Sequence, residues 1–272
     1  MKNISTTILA AALAVGLSAC GATATPSPDK NSEEGLSGQE IAVAFDVNGP
    51  PFAYVESGDK VAGFDVDLLD EIAKRNNFTL KKSAMPFDGI LAALQANQST
   101  VGSGGMTITD ERKKVVLFST PYFQTGMALA TKPDASLIET VEDLKGKSVA
   151  VRTGSTHALY LESLPFADEI KIHTYDSTND QFQAVISGID DAGMNDKAFI
   201  DFYIAQRGGN QLEVVGELLT KDNYGFPILM DRSDVKTTID ETLIEMANDG
   251  TYARMYEKYF GVEPDLLPGD ID

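Results

Sequence analysis

Short apolar runs that read as strands alternate with stretches of helical period from residue 40 to residue 260, and this alternation points to α/β layering. Glu40–Asp46 reads as a strand running into a Pro50-Pro51 turn. Residues 65–75 place Val66, Leu69, Ile72 and Ala73 at helical spacing, with Asp65 at the start and Lys74-Arg75 at the end, as the helix dipole favours. Residues 87–95, 158–163, 179–187, 197–206, 235–247 and 252–260 read as further helices, and 115–118, Ser148–Arg152 and 191–194 as strands. The chain after residue 40 suits two lobes of about 100 residues each.

One run concentrates chemistry. Gly105-Met106-Thr107-Ile108-Thr109-Asp110-Glu111-Arg112 sets a glycine, two hydroxyls and a guanidinium where a small, uncharged segment (99–104) turns into a short helix. A cation in a first helical turn opposes the dipole, so Arg112 has a use other than helix support. Bidentate capture of a carboxylate suits its planar fork. On this segment alone a solvated Arg on a capped surface helix fits equally well.

The formal net charge is −19, which argues against nucleic acid or anionic lipid as a partner of the folded domain. Lys2 followed by the small, apolar stretch 8–19 reads as a signal peptide over residues 1–19, too short to span a bilayer. It ends Leu17-Ser18-Ala19-Cys20, which looks like a lipoprotein cleavage box, with Cys20, the single cysteine, as the lipidated residue. Residues 20–39 show no apolar period and read as a disordered tether. His157 and His173 make no zinc spacing, and neither a metal nor a cofactor is expected.

Val43-Ala44-Phe45-Asp46, Pro50-Pro51-Phe52, Gly63-Phe64-Asp65-Val66-Asp67-Leu68, Phe87-Asp88-Gly89-Ile90, the 105–112 run, Phe118-Ser119-Thr120-Pro121-Tyr122 and Lys258-Tyr259-Phe260-Gly261 follow in one order. Through them the chain closely resembles the periplasmic or lipid-anchored amino-acid-binding proteins of bacterial ABC importers, solute-binding family 3. The resemblance covers roughly residues 40 to 261 and implies a two-lobed periplasmic-binding-protein fold of type II, two α/β lobes joined by a two-stranded hinge. It implies lobe one over 40–124 and 225–272, lobe two over 125–224, and a non-enzymatic monomer on the extracytoplasmic face of the membrane that serves a permease and ATPase.

The resemblance also implies roles. Arg112 takes the ligand carboxylate, with Gly105 and Thr107 beside it and Thr156 supporting from a helix start in lobe two. Asp196 takes the ammonium. Asp46, Phe87, Arg152 and Asn195 surround the side chain. Read without the family, Asp196 is a helix N-cap, Thr156 a simple N-cap that can also support an anion, Phe87 equally a core residue, and Arg152 alternatively a solvated strand end. The chain departs from the pattern at Gly49, where many relatives carry an aromatic, so one wall of the pocket is expected to be missing. Asp46 could pair a cationic ligand unless Arg152 itself holds it, whereas Arg152 points to a polar neutral or acidic ligand. The expectation is glutamine-like first and glutamate-like second, with basic amino acids bound at least about tenfold more weakly. Two other classes fit the fold: a cleft enzyme of the cyclohexadienyl-dehydratase type, and a ligand-sensing subunit for a membrane receptor.

Overall fold

The structure is a computed structural model that describes residues 35–133, 138–207 and 210–272. The expected signal peptide, Cys20 and the tether through residue 34 lie outside the described residues.

Two five-stranded sheets organise two lobes. The first has the order Thr79–Met85, Glu40–Asp46, Val101–Ser103, Pro227–Ile228, Leu117–Phe118, its first three strands parallel and the last two paired antiparallel. The second has the order Lys171–Tyr175, Ser148–Arg152, Ala192–Asp196, Met127–Thr131, Glu213–Val215, again parallel in its first three. Phe123–Thr125 and Asp222–Tyr224 pair antiparallel between the lobes and form the two-stranded hinge. A small sheet of Asn48–Gly49, Ala53–Val55 and Val61–Ala62 covers the first lobe beside its central strand.

This topology fixes where function belongs. In each lobe the central parallel strand has neighbours on both sides, and the crevice outside the carboxyl ends of such strands is where open α/β sheets bind ligands. Those ends are Asp46, Ser103, Arg152 and Asp196. All four carry residues at or next to the sequence-predicted site.

The helix Phe64–Arg75 buries Phe64, Val66, Leu68, Leu69, Ile72 and Ala73 against the first lobe. Aromatic rings link that lobe to the hinge: Phe52 meets Phe123 at 5.0 Å and Tyr224 at 5.2 Å between centroids, both edge to face. Edge-to-face pairs of this kind are each worth about 0.5–1.5 kcal/mol beyond area burial.

Asp65, the second residue of that helix, is fully buried. Its Oδ2 accepts from Ser103 Oγ at 3.0 Å, Gly104 N at 2.8 Å and Gly105 N at 3.1 Å, and its Oδ1 from Tyr122 Oη at 2.8 Å. Burial pushes its carboxyl up to about 6 against the pull of those four donors. This carboxylate holds the glycine turn that leads to Thr107. Asp65→Ala strands the donors in the core and is expected to destabilise the protein by about 3–5 kcal/mol. A urea titration checks this, and an unchanged midpoint would remove the role.

Several expectations need correction. Residues 36–39 of the expected tether pack on lobe one: Leu36 is buried, and Gly38 N donates to Asn77 O at 2.7 Å. The helix expected over 87–95 is a 3₁₀ turn, Phe87–Gly89, followed by an α-helix, Ile90–Gln95. The strand expected over 115–118 narrows to Leu117–Phe118, with Val115 exposed. The helix expected at 158–163 starts earlier, at Thr156, because Ser155 caps it by accepting from Ala158 N at 3.4 Å.

Candidate functional site

Asp46, Phe87, Gly105, Thr107, Arg112, Arg152, Thr156, Asn195 and Asp196 all line one cavity between the lobes. Gly104, Ser155, His157, Thr178 and Phe199 line it as well, and the sequence reading gave none of them a ligand role. The cavity draws on the carboxyl ends of strands from both sheets.

Arg112 sits in the four-residue helix Asp110–Lys113, capped by Thr109, whose hydroxyl accepts from Arg112 N at 3.2 Å. The guanidinium turns back into the cleft and is only 9% exposed. Nη1 donates to Thr107 O at 2.8 Å and Nη2 to Gly154 O of the other lobe at 3.4 Å. Among the described residues no carboxylate lies within salt-bridge distance of it. Burial pulls its pKa down to about 10, opposed by the more distant Asp196. A buried cation bonded only to carbonyls has its charge unanswered and donor capacity left for an anion.

Asp196 ends the central part of the second sheet and is 2% exposed. Its Oδ2 accepts from Tyr224 Oη at 2.5 Å, and its Oδ1 lies 3.2 Å from His157 Nε2. Burial, then the Asp196 charge, pushes the Tyr224 phenol well up, so it stays a donor. Tyr224 belongs to the hinge strand, so this carboxylate is tied both to its own lobe and to the hinge. His157 Nδ1 is buried without a partner among the described residues. The sequence held no signal for this pairing, because His157 and Asp196 lie on separate elements.

At the other end, Arg152 and Asp46 form a buried ion pair across the lobes, Nη2 to Oδ2 at 2.9 Å. Nη1 donates to Thr178 Oγ1 at 2.9 Å and to Asn48 O at 3.4 Å. Burial raises the Asp46 carboxyl pKa, with Arg152 opposing. Arg152 is therefore no solvated strand end. Phe87, half-buried, offers its ring to both guanidinia: Arg112 Cζ is 5.5 Å and Arg152 Cζ 5.8 Å from its centroid.

Asn195 is committed internally. Its Nδ2 donates to Gln181 Oε1 at 2.7 Å, and its Oδ1 accepts from Asp196 N at 2.8 Å. Thr156 is the first helical residue after its cap, so the N-cap is Ser155 and the Thr156 side chain remains at the cleft. Gly49 does not leave an empty wall. A Cβ there would lie 3.0 Å from Asp46 Oδ2 and 3.3 Å from Phe199 Cε1, so a ring from the second lobe occupies the place.

Among the described residues, no group of three or more His, Cys, Asp or Glu side chains could hold a metal ion, and no helix is long and apolar enough to cross a membrane.

The chain is similar to known proteins over nearly all its length. It is 33% identical to the "Probable amino-acid-binding protein YxeM" of Bacillus subtilis, covering 96% of each chain. It is 30% identical to the L-cystine-binding protein TcyJ of Escherichia coli K12, covering 94% of each. Among solved structures, an ancestral arginine-binding protein superposes in its arginine-bound form with a TM-score of 0.77 at 37% identity, covering 82% of this chain and 98% of that one. Its glutamine-bound form superposes with a TM-score of 0.76 at 38% identity and the same coverage. The profile of the bacterial extracellular solute-binding proteins, family 3, matches residues 41–262, and the chain belongs to that family.

Proposed function

We propose that this protein binds a free, polar, uncharged amino acid of glutamine-like size between its lobes and delivers it to an ABC importer. The observation that carries this reading is Arg112, a buried guanidinium with carbonyl acceptors but no carboxylate, on the same cavity as the buried carboxylate of Asp196. A zwitterion taken out of water needs both charges answered, and these two groups answer them. Thr107 and Thr156 flank the carboxylate end.

The charges at the other end support a neutral side chain. Asp46 and Arg152 already satisfy each other. A cationic side chain has to draw Asp46 away from Arg152, and an anionic one has to draw Arg152 from Asp46. A neutral amide can donate to one and accept from the other without separating them. Glutamine is therefore ranked first and glutamate second, with arginine and lysine at least about tenfold weaker.

Calorimetric titration with glutamine, glutamate, arginine, lysine, histidine and cystine tests the ranking. Tightest binding to arginine or lysine would overturn the side-chain assignment while leaving the class intact. Binding of none of them would overturn the class.

The same reading places the protein at the extracytoplasmic face of the membrane as a lipid-anchored monomer, with lobe one at 40–124 and 225–272 and lobe two at 125–224. Leu17-Ser18-Ala19-Cys20 supports the anchor. Cys20→Ser is expected to release the protein from the membrane fraction without changing ligand affinity. A variant that still pellets after a high-salt wash would refute the anchor.

A further inference from the structure

Phe199 belongs to the helix Lys197–Arg207 of the second lobe, yet the neighbours of its ring tip are in the first. A Cβ built on Gly49 would lie 3.3 Å from Phe199 Cε1, and one built on Gly105 would lie 3.1 Å from its Cζ. The ring centroid is 5.0 Å from that of Phe52. The ring thus enters the opposite lobe at two places where the backbone carries no side chain. It is 6% exposed, although it lines two separate spaces.

One space is the amino-acid cleft. The other is an outer groove that includes Pro50, Asn179 and Phe202. Phe199 and Thr178 are shared by both, and Thr178 is held in place by the hydrogen bond from Arg152. Of the two shared side chains the aromatic ring is the larger.

Resting on the amino-acid reading above, we propose that Phe199 is a specificity-determining residue: its ring closes the cleft against the outer groove and limits the length of the ligand side chain. Because the ring reaches its place only when the lobes meet, the limit applies in the closed form. A ligand whose side chain extends past the ring keeps the lobes apart. Gly49 and Gly105 are the matching half of the device, since a side chain at either would meet the ring.

The test compares wild type with Phe199→Ala and Phe199→Leu by calorimetry, using glutamine, N5-ethylglutamine and cystine. Each ligand offers one α-amino and α-carboxyl pair to the same end of the cleft. N5-ethylglutamine has the longer neutral side chain, and cystine is longer still and carries a second such pair at its far end. In Phe199→Ala the affinity for N5-ethylglutamine and cystine relative to glutamine is expected to rise at least tenfold over the wild-type ratio, with Phe199→Leu between. A ring that serves only packing would weaken all three ligands alike. Ratios unchanged within twofold, in variants that keep their thermal transition, overturn the proposal while leaving amino-acid binding standing. Wild type that binds none of the three, nor any of the common amino acids, overturns the underlying reading and the proposal with it. If Phe199→Ala loses its transition, Phe199→Leu alone decides by the same ratio.

Discussion

Arg112→Ala is expected to weaken amino-acid binding by roughly thirtyfold to several thousandfold, the equivalent of about 2–5 kcal/mol for one member of a desolvated charge pair. The ligand-free protein should hold its stability. With the lobes together Arg112 is a buried cation answered by carbonyls alone, and its pKa is depressed to about 10 by the loss of water. Deleting it removes that desolvation cost along with two hydrogen bonds, so the two effects oppose each other. Thermal unfolding should show a ligand-free transition close to wild type and a much smaller shift on adding ligand than wild type shows. Wild type gains about 2.7 kcal/mol at ligand concentrations a hundred times Kd. Arg112→Lys keeps the charge but loses the fork, and should fall between. A loss below threefold in folded Arg112→Ala would dismiss Arg112 as the carboxylate partner. Asp196→Asn should resemble Arg112→Ala in affinity, because the His157 ring can change tautomer and keep its hydrogen bond while the counter-charge for the ammonium is lost.

The cleft residues were legible in the sequence because the fold gathers the carboxyl ends of its parallel strands. Short motifs around Asp46, Gly105–Arg112, Arg152 and Asp196 mark those ends, and one topology brings them together. The sequence could not show which groups pair. Arg152 and Asp46 read as pulling toward opposite ligand charges, with a pairing between them left open, until the structure sets them against each other across the lobes at 2.9 Å. Asn195 likewise turns out to be spent on Gln181 and its own neighbour. Asp65 read only as an acidic residue in a helix's first turn, although it gathers four donors from two other segments. Such a role has no local signature. Thr79–Met85 and Lys171–Tyr175 escaped notice for a different reason. They are edge strands, mostly exposed, and lysines and small polar residues give them no apolar alternation to recognise.

Asp46→Ala should change which ligand is preferred as well as how tightly it is held. With the lobes together, the variant leaves Arg152 buried and facing no carboxylate, a cost of about 3–5 kcal/mol when one partner of a buried pair is removed. The two partners sit on different lobes, so the cost can be escaped by opening, which returns the guanidinium to water. The penalty therefore falls on closure, and it should appear in affinity more than in the unfolding of the free protein. Glutamine binding should drop roughly a hundredfold to a few thousandfold. Glutamate carries the missing charge on its own side chain and can restore the pair, so the glutamate-to-glutamine affinity ratio should rise at least about tenfold over wild type. Removing both charges, in Asp46→Ala combined with Arg152→Met, should recover much of the glutamine affinity and abolish the glutamate gain. The reverse single change, Arg152→Ala, frees Asp46 and should move the preference toward arginine. Calorimetry on these variants with the three ligands reads all of this. An unchanged glutamate-to-glutamine ratio in Asp46→Ala would mean that the ligand side chain does not reach this pair, and that selectivity is set elsewhere in the cleft.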